Sequence, residues 1–240
     1  SRGAALYNTR RAQGVPAALS VPTAEGALLK VDPRLRPSGE QGPLAVSLDA
    51  FERYQQEQAW TWEHMALTRA RAVFGSAQAR AALDGVVAKV LASPRDAQKL
   101  RADVLEIRAT MAAHKPAKGS LDVKLARGGL VDLEFLVHFL QLRHATCFVP
   151  HLGDAVRALA GAGLVSASLI TAHDTLARAL VAARLLAPDS QEPPQAAKAV
   201  LARACGADDW HGLLASLAQA RATVASAWTS AFGEKLETGS

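Results

Sequence analysis

Three clusters of residues carry side chains that could do chemistry. Asp32 closes an apolar run, Ala27-Leu28-Leu29-Lys30-Val31, and is followed by Pro33-Arg34-Leu35-Arg36-Pro37-Ser38-Gly39. A carboxylate at the end of a strand can ligate Mg2+ or accept a proton. The guanidiniums of Arg34 and Arg36 can neutralise phosphate oxygens, or pair with Asp32 in a structural loop. The second cluster is Trp60-Thr61-Trp62-Glu63-His64, with Arg69 and Arg71 downstream. At about 100° per residue, Trp60, Glu63, His64, Leu67 and Arg71 share one helical stripe, and Trp62, Met65, Arg69 and Val73 share another. Aromatics on two sides predict a core helix sandwiched between neighbours. Arg69 and Arg71 then point apart, and each reads equally as the partner of an acid or as a phosphate ligand.

The third cluster is Lys124-Leu125-Ala126-Arg127-Gly128-Gly129-Leu130-Val131-Asp132-Leu133-Glu134-Phe135. Two glycines before a helix can open backbone N–H groups to an anion. Asp132 and Glu134 sit in or near the first turn, where they already match the positive helix end and argue against a bound anion. Two positions apart, they face different directions and make no carboxylate pair. Other chemistries lack their residues. His138 and His144 have no acid or Cys at helical spacing to complete a metal set. There is no phosphate-cradling P-loop and no serine elbow.

The elements that must position these clusters are mostly helices. Half of the 240 residues are hydrophobic, chiefly Ala and Leu, and β-branched residues are few. Residues 7–19 can form a helix, 27–32 a short strand after a turn at 23–26, and 44–47 a partner strand. Ser47 or Asp49 caps a helix, and the helical pattern continues to Phe74. Further helices are predicted at 77–91, 95–113, 131–145, 152–164, 166–187, 193–204 and 209–232, with loops at 115–120 and 189–194. The fold class is therefore mainly α: the remnant of a small mixed sheet over residues 1–47, a helical bundle over 48–236, and a tail at 237–240.

The formal net charge is +5 with a pI near 9.5. No run of five basic residues and no aromatic–basic platform appears, so no nucleic-acid partner is expected. No apolar run approaches the ~18 residues of a membrane span, and the start has no signal-peptide core, so no membrane is expected either. Cys147 and Cys205 form no spaced framework and read as reduced thiols of a cytoplasmic protein. The lack of an initiator Met reads as an excised piece.

Taken in order, Val31-Asp32-x-Arg34-Leu35-Arg36-Pro37-Ser38-Gly39-x-x-Gly42, then Ala59-Trp60-Thr61-Trp62-Glu63-His64-x-Ala66-Leu67-Thr68-Arg69-Ala70-Arg71, then Lys124-x-x-x-Gly128-Gly129-x-x-Asp132-x-Glu134-Phe135 resemble the glutamine synthetase adenylyltransferase family. Residues 7–145 carry the resemblance. It implies a nucleotidyltransferase domain of the DNA polymerase β type followed by a helical bundle, an arrangement the family holds twice. One copy attaches AMP from ATP to a tyrosine of glutamine synthetase, controlling nitrogen assimilation, and the other removes it by phosphorolysis. The Ala-Trp-Thr-Trp-Glu-His wording is similar to the carboxy-terminal, adenylylating copy.

The resemblance further implies Mg2+ as cofactor, and ATP, glutamine synthetase and the PII signal protein as partners. Asp32 matches the third of three metal-binding carboxylates and is the expected metal ligand or base. The Asp-x-Asp pair that supplies the other two is expected before Ser1, so the chain alone is expected to be inactive. Arg34, Arg36, Arg69 and Arg71 are expected at phosphate or nucleotide. Lys124, Gly128, Gly129, Asp132 and Glu134 are motif residues without an assigned role. Three rivals stand beside this reading: the deadenylylating copy, a helical module that only docks glutamine synthetase or PII, and a basic helical binder of nucleic acid.

Overall fold

The computed structural model describes residues 2–24, 26–27, 29, 31–119, 121–187 and 190–236, with the side chains of 2–6, 27 and 34 outside that description. Leu28 and Lys30 of the expected strand, Asp189 of the expected loop and the expected tail at 237–240 lie outside the described residues. The chain divides into two compact units, residues 1–91 and 92–240. The boundary expected at 47/48 falls inside the first of them.

The first unit opens with α1 (Arg2–Leu19), which carries Pro16 within it. Strands β1 (Pro22–Thr23) and β2 (Gly26–Ala27) pair antiparallel across the expected turn. Of the described residues of the expected 27–32 strand, Ala27 alone is in a ladder, and 44–47 is irregular. An apolar run holds a strand only where a neighbour takes its backbone groups, and none does so here among the described residues. Two 3-10 turns follow, Pro33–Leu35 and Gly39–Gln41.

Helix α2 (Leu48–Glu57) starts where its cap was read: the Ser47 hydroxyl accepts the Ala50 N–H at 3.2 Å. The helix expected to run on to Phe74 breaks instead. Helix α3 (Thr61–Leu67) is a separate start, because the Glu63 carboxylate reaches back to the Trp60 N–H at 2.8 Å. It ends early. The Thr68 hydroxyl donates to Met65 O at 2.7 Å, and the N–H groups of Arg69 and Ala70 turn to carbonyls three residues back. Helix α4 (Ala77–Ala92) closes the unit, tied to α2 by the 2.5 Å pair of Lys89 Nζ with Glu52 Oε1.

The second unit is a bundle of α5 (Ala97–His114), α6 (Leu130–His144), α7 (Leu152–Gly161), α8 (Ser168–Leu186), α9 (Gln195–Ala204) and α10 (Trp210–Phe232). Asp96 and Asp209 cap α5 and α10, accepting the N–H of Lys99 and Gly212 at 2.7 Å each. Twelve of the fifteen residues of α6 are buried, so it is the central helix. It packs on α5, α7, α8 and α10, while α8 packs on α7, α9 and α10. Rings of Phe139 on α6 and Phe232 on α10 lie 4.4 Å apart, and Trp228 stacks beside Phe232. Among the described residues no helix is long and apolar enough to cross a membrane.

Candidate functional site

Asp32 is exposed at the entrance of a loop built around Arg36. The Arg36 guanidinium donates from Nη1 to Pro33 O at 2.7 Å, from Nε to Gly42 O at 3.1 Å and from Nη2 to Glu40 O at 3.1 Å. Its planar fork thus knots residues 33–42, directly after Asp32, into a fixed turn. Ser38 and Gly39 take left-handed φ of 61° and 55° to make that turn. Gly42 has no alternative, since a Cβ there would lie 1.9 Å from Pro37 O.

The Trp-Thr-Trp-Glu-His segment faces two ways, but not as its helical stripes suggested. Glu63 is buried, and both of its carboxylate oxygens take the Tyr54 hydroxyl, at 2.9 and 3.1 Å, besides the Trp60 N–H. His64 Nε2 meets Gln55 O at 2.9 Å. These polar groups pin α3 to α2. Burial pushes the Tyr54 hydroxyl above the usual tyrosine range, opposed by a backbone hydrogen bond at Ser38. Tyr54 therefore joins the Arg36 loop to the start of α3. The tryptophans are not core: Trp60 is 70% exposed and Trp62 37%. Arg69 and Arg71 are exposed in the irregular segment after α3, so the helical argument that sends them opposite ways does not apply to them.

The residues present do not by themselves make a metal centre. Among the described residues, no three His, Cys, Asp or Glu side chains converge as a metal would need. Asp32 offers one carboxylate, whereas Mg2+ takes six oxygens, several of them commonly from water and substrate.

In the second unit the Gly-Gly motif is a closed knot. Asp132 is fully buried, and its Oδ1 accepts Arg108 Nε at 2.5 Å while its Oδ2 accepts the Gly128 N–H at 2.6 Å. Arg127 adds a longer contact at 3.5 Å, and Arg221 Nε donates to Arg127 O at 2.9 Å. Gly128 has φ 76°, and a Cβ on Gly129 would lie 2.5 Å from Val123 O and 2.7 Å from Ala126 O. Asp122 holds the other side, accepting the N–H of Lys118 at 3.0 Å and of Leu125 at 2.9 Å. Aspartates so consume N–H groups that an anion would otherwise find. Lys124 stays exposed on this loop, and Glu134 is half-buried on α6.

Sequence reasoning missed Arg108 and Asp122. The signal for Arg108 was there: it continues the apolar stripe of Leu100 and Val104 at i+4, a place where an arginine must bring a partner.

Comparison with known proteins matches the two units separately. Residues 1–86 match the family described as GlnE, glutamate-ammonia ligase adenylyltransferase, and residues 98–232 match the family described as GlnD PII-uridylyltransferase. Proteins named bifunctional glutamine synthetase adenylyltransferase/adenylyl-removing enzyme are similar along the chain. That of Caulobacter vibrioides is 41% identical over 236 residues, covering 94% of this chain and 24% of its own length. That of Rhizobium meliloti is 41% identical over 220 residues, covering 86% of this chain and 22% of its own. That of Agrobacterium fabrum is 50% identical over 136 residues, covering 57% and 14%. The chain thus spans about a quarter or less of the length of these relatives.

Proposed function

We propose a function from one premise: the chain belongs to the glutamine synthetase adenylyltransferase family, and its residues 98–232 also belong to the GlnD PII-uridylyltransferase family. The chain is part of a cytoplasmic enzyme that transfers AMP from ATP to a tyrosine of glutamine synthetase. The single observation that carries this is identity of 41% sustained over 94% of the chain with a relative of that name.

In this reading, residues 1–47 are the back part of a polymerase β-type nucleotidyltransferase domain and 48–236 its helical companion. Mg2+ is the metal and PII a further partner. Asp32 supplies one carboxylate, as ligand or base, to a centre whose remaining ligands come from outside these 240 residues, so the chain alone is inactive. The Arg36 knot supports it: a loop locked by three hydrogen bonds holds the backbone beside Asp32 in one geometry. Arg36 then acts as an orienter, while Arg34, Arg69 and Arg71 are the candidates for phosphate. A second reading, the deadenylylating copy, is favoured by the relatives' names, which carry both activities.

The test exchanges these 240 residues for the matching segment of the Caulobacter vibrioides relative. The chimera should transfer AMP to glutamine synthetase in the presence of ATP and Mg2+. Asp32→Asn in it should lower the rate at least ~10²-fold, the scale of a lost acid–base or ligand group. A well-folded variant within about twofold of the chimera sinks the Asp32 assignment, since ~0.4 kcal/mol is too small for such a role. A chimera that only removes AMP supports the second reading. One that binds glutamine synthetase or PII but does neither reaction leaves a docking module.

A further inference from the structure

We propose that the cleft between the end of α6, the α7–α8 link and α10 binds a small organic anion that also carries O–H or N–H donors. The cleft has a volume of about 880 Å³, and all of its walls come from the bundle. Its cationic end is Arg143, with His144 beside it in the last turn of α6. No Asp or Glu lines the cleft among the described residues. The Arg143 guanidinium lies over the Phe139 ring, 5.7 Å from its centroid, which restricts where the fork can point. A carboxylate or phosphate at that fork gains charge-assisted hydrogen bonds, the strong kind.

Beside Gln219 and Ser226, two hydroxyls of the α10 wall bear on the rest of the ligand. Thr223 Oγ1 donates to Gln219 O at 2.9 Å, and Ser230 Oγ donates to Ser226 O at 3.0 Å. Both hydroxyl protons are committed to the helix, so each oxygen presents lone pairs to the cleft. A bare anion would satisfy Arg143 and leave these acceptors to water. A neutral polyol would do the reverse. A hydroxy acid or a hydroxylated phosphate ester satisfies both ends, and the cleft is open enough to admit either.

The test follows amide shifts of the 15N-labelled chain on titration with glycerate, glycerol 3-phosphate, glycerol and acetate. Glycerate or glycerol 3-phosphate should saturate shifts at residues 143–144 and 223–230 at concentrations at least tenfold below glycerol or acetate. Whichever of the two saturates first names the anion as carboxylate or phosphate. Arg143→Ala should weaken that binding at least tenfold, while Arg157→Ala on α7, outside the cleft, should leave it unchanged. Arg143 is exposed, so the variant should keep the parent's helical circular dichroism, which is checked alongside. The proposal is overturned if neither acid saturates these shifts by about 10 mM. It is equally overturned if glycerol or acetate binds as well, or if the folded Arg143→Ala protein binds as the parent does.

Discussion

Residues 92–240 keep their large apolar side chains inside, around α6, where Leu133, Leu136, Val137 and Phe139 are all fully buried. Residues 1–91 wear many of theirs outside: Tyr7, Val15, Leu19, Val21, Trp60, Trp62, Val73 and Phe74 are exposed, the last at 88%. In the bundle, Val181, Leu185 and Val200 are the comparable residues. The helices of the two units differ in their support. Bundle helices are held by packing against one another. The described part of the first unit buries Met65, Leu67, Val86, Val90 and Leu91 and leans more on local polar bonds: the Ser47 cap, the Glu63 reach-back, the His64–Gln55 contact and the Arg36 knot. Packing across a buried core gives cooperative stability, whereas local hydrogen bonds of about 1 kcal/mol each give segments that open one at a time.

The most severe way to break the contrast is to attack the buried ion pair. Asp132→Ala should destabilise the bundle by about 3–5 kcal/mol, because it leaves the Arg108 guanidinium, only 2% exposed, without its counter-charge. Urea unfolding followed by circular dichroism measures the loss, and hydrogen exchange locates it. Protection should fall across 97–144 and stay as it was across 48–67. Equal loss in both regions would mean that the two units share one cooperative transition. Adding Arg108→Met should recover part of the stability.

A milder probe uses two glycines with the same problem. Gly129→Ala drives a Cβ into backbone carbonyls of a loop locked by Asp122 and Asp132, so it should cost about 1–3 kcal/mol of bundle stability. Gly42→Ala meets a closer carbonyl, at 1.9 Å. Among the described residues its ties are to its own backbone and to Tyr54, so the change should rearrange residues 33–42 and leave the bundle's unfolding midpoint where it was. A bundle midpoint that drops with Gly42→Ala would show that the two units unfold together.

The smallest effect is electrostatic and confined to the first unit. The hydrogen bond from Lys89 holds the half-buried Glu52 carboxyl below the usual carboxylate range. A depressed pKa stabilises the folded form above the unfolded value of about 4.3, and that contribution is lost as pH falls through the folded pKa. Lys89→Ala should therefore speed exchange of α2 amides slightly at pH 7, with the difference fading as pH falls through the folded Glu52 pKa. A difference that persists undiminished in acid would assign the effect to something other than this pair.

Much of the bundle is legible from sequence because its helix starts are local. Asp96, Asp209 and the Gly128-Gly129 pair mark where helices begin, the spacing of Leu100 and Val104 marks the inward face of 97–114, and the nearly unbroken apolar run of 130–142 marks a helix buried on all sides. The ion pair is less legible, since Arg108 and Asp132 stand 24 positions apart and meet only in the tertiary fold. The break at residues 58–60 was missed because helical periodicity continues through it. What stops the helix is one glutamate turning back on its own N-terminus. Exposure of Trp60 and Trp62 was missed for another reason: residue type suggests burial, but burial requires a neighbour. Of the candidate site, sequence marked Asp32 and its arginines by pattern. The structural role of Arg36 rests on three carbonyls whose direction no pattern encodes.

The burial of α6 also sets a schedule for synthesis. The Phe139 ring is covered by Phe232, which lies at the far end of α10. About ninety residues must still be translated after α6 before that cover exists. At roughly 5–20 residues per second, this most buried helix waits on the order of 4–18 s on the ribosome with one side open to water. During that interval it is a natural target for chaperones, and a pause in the codons for 145–232 would lengthen its exposure.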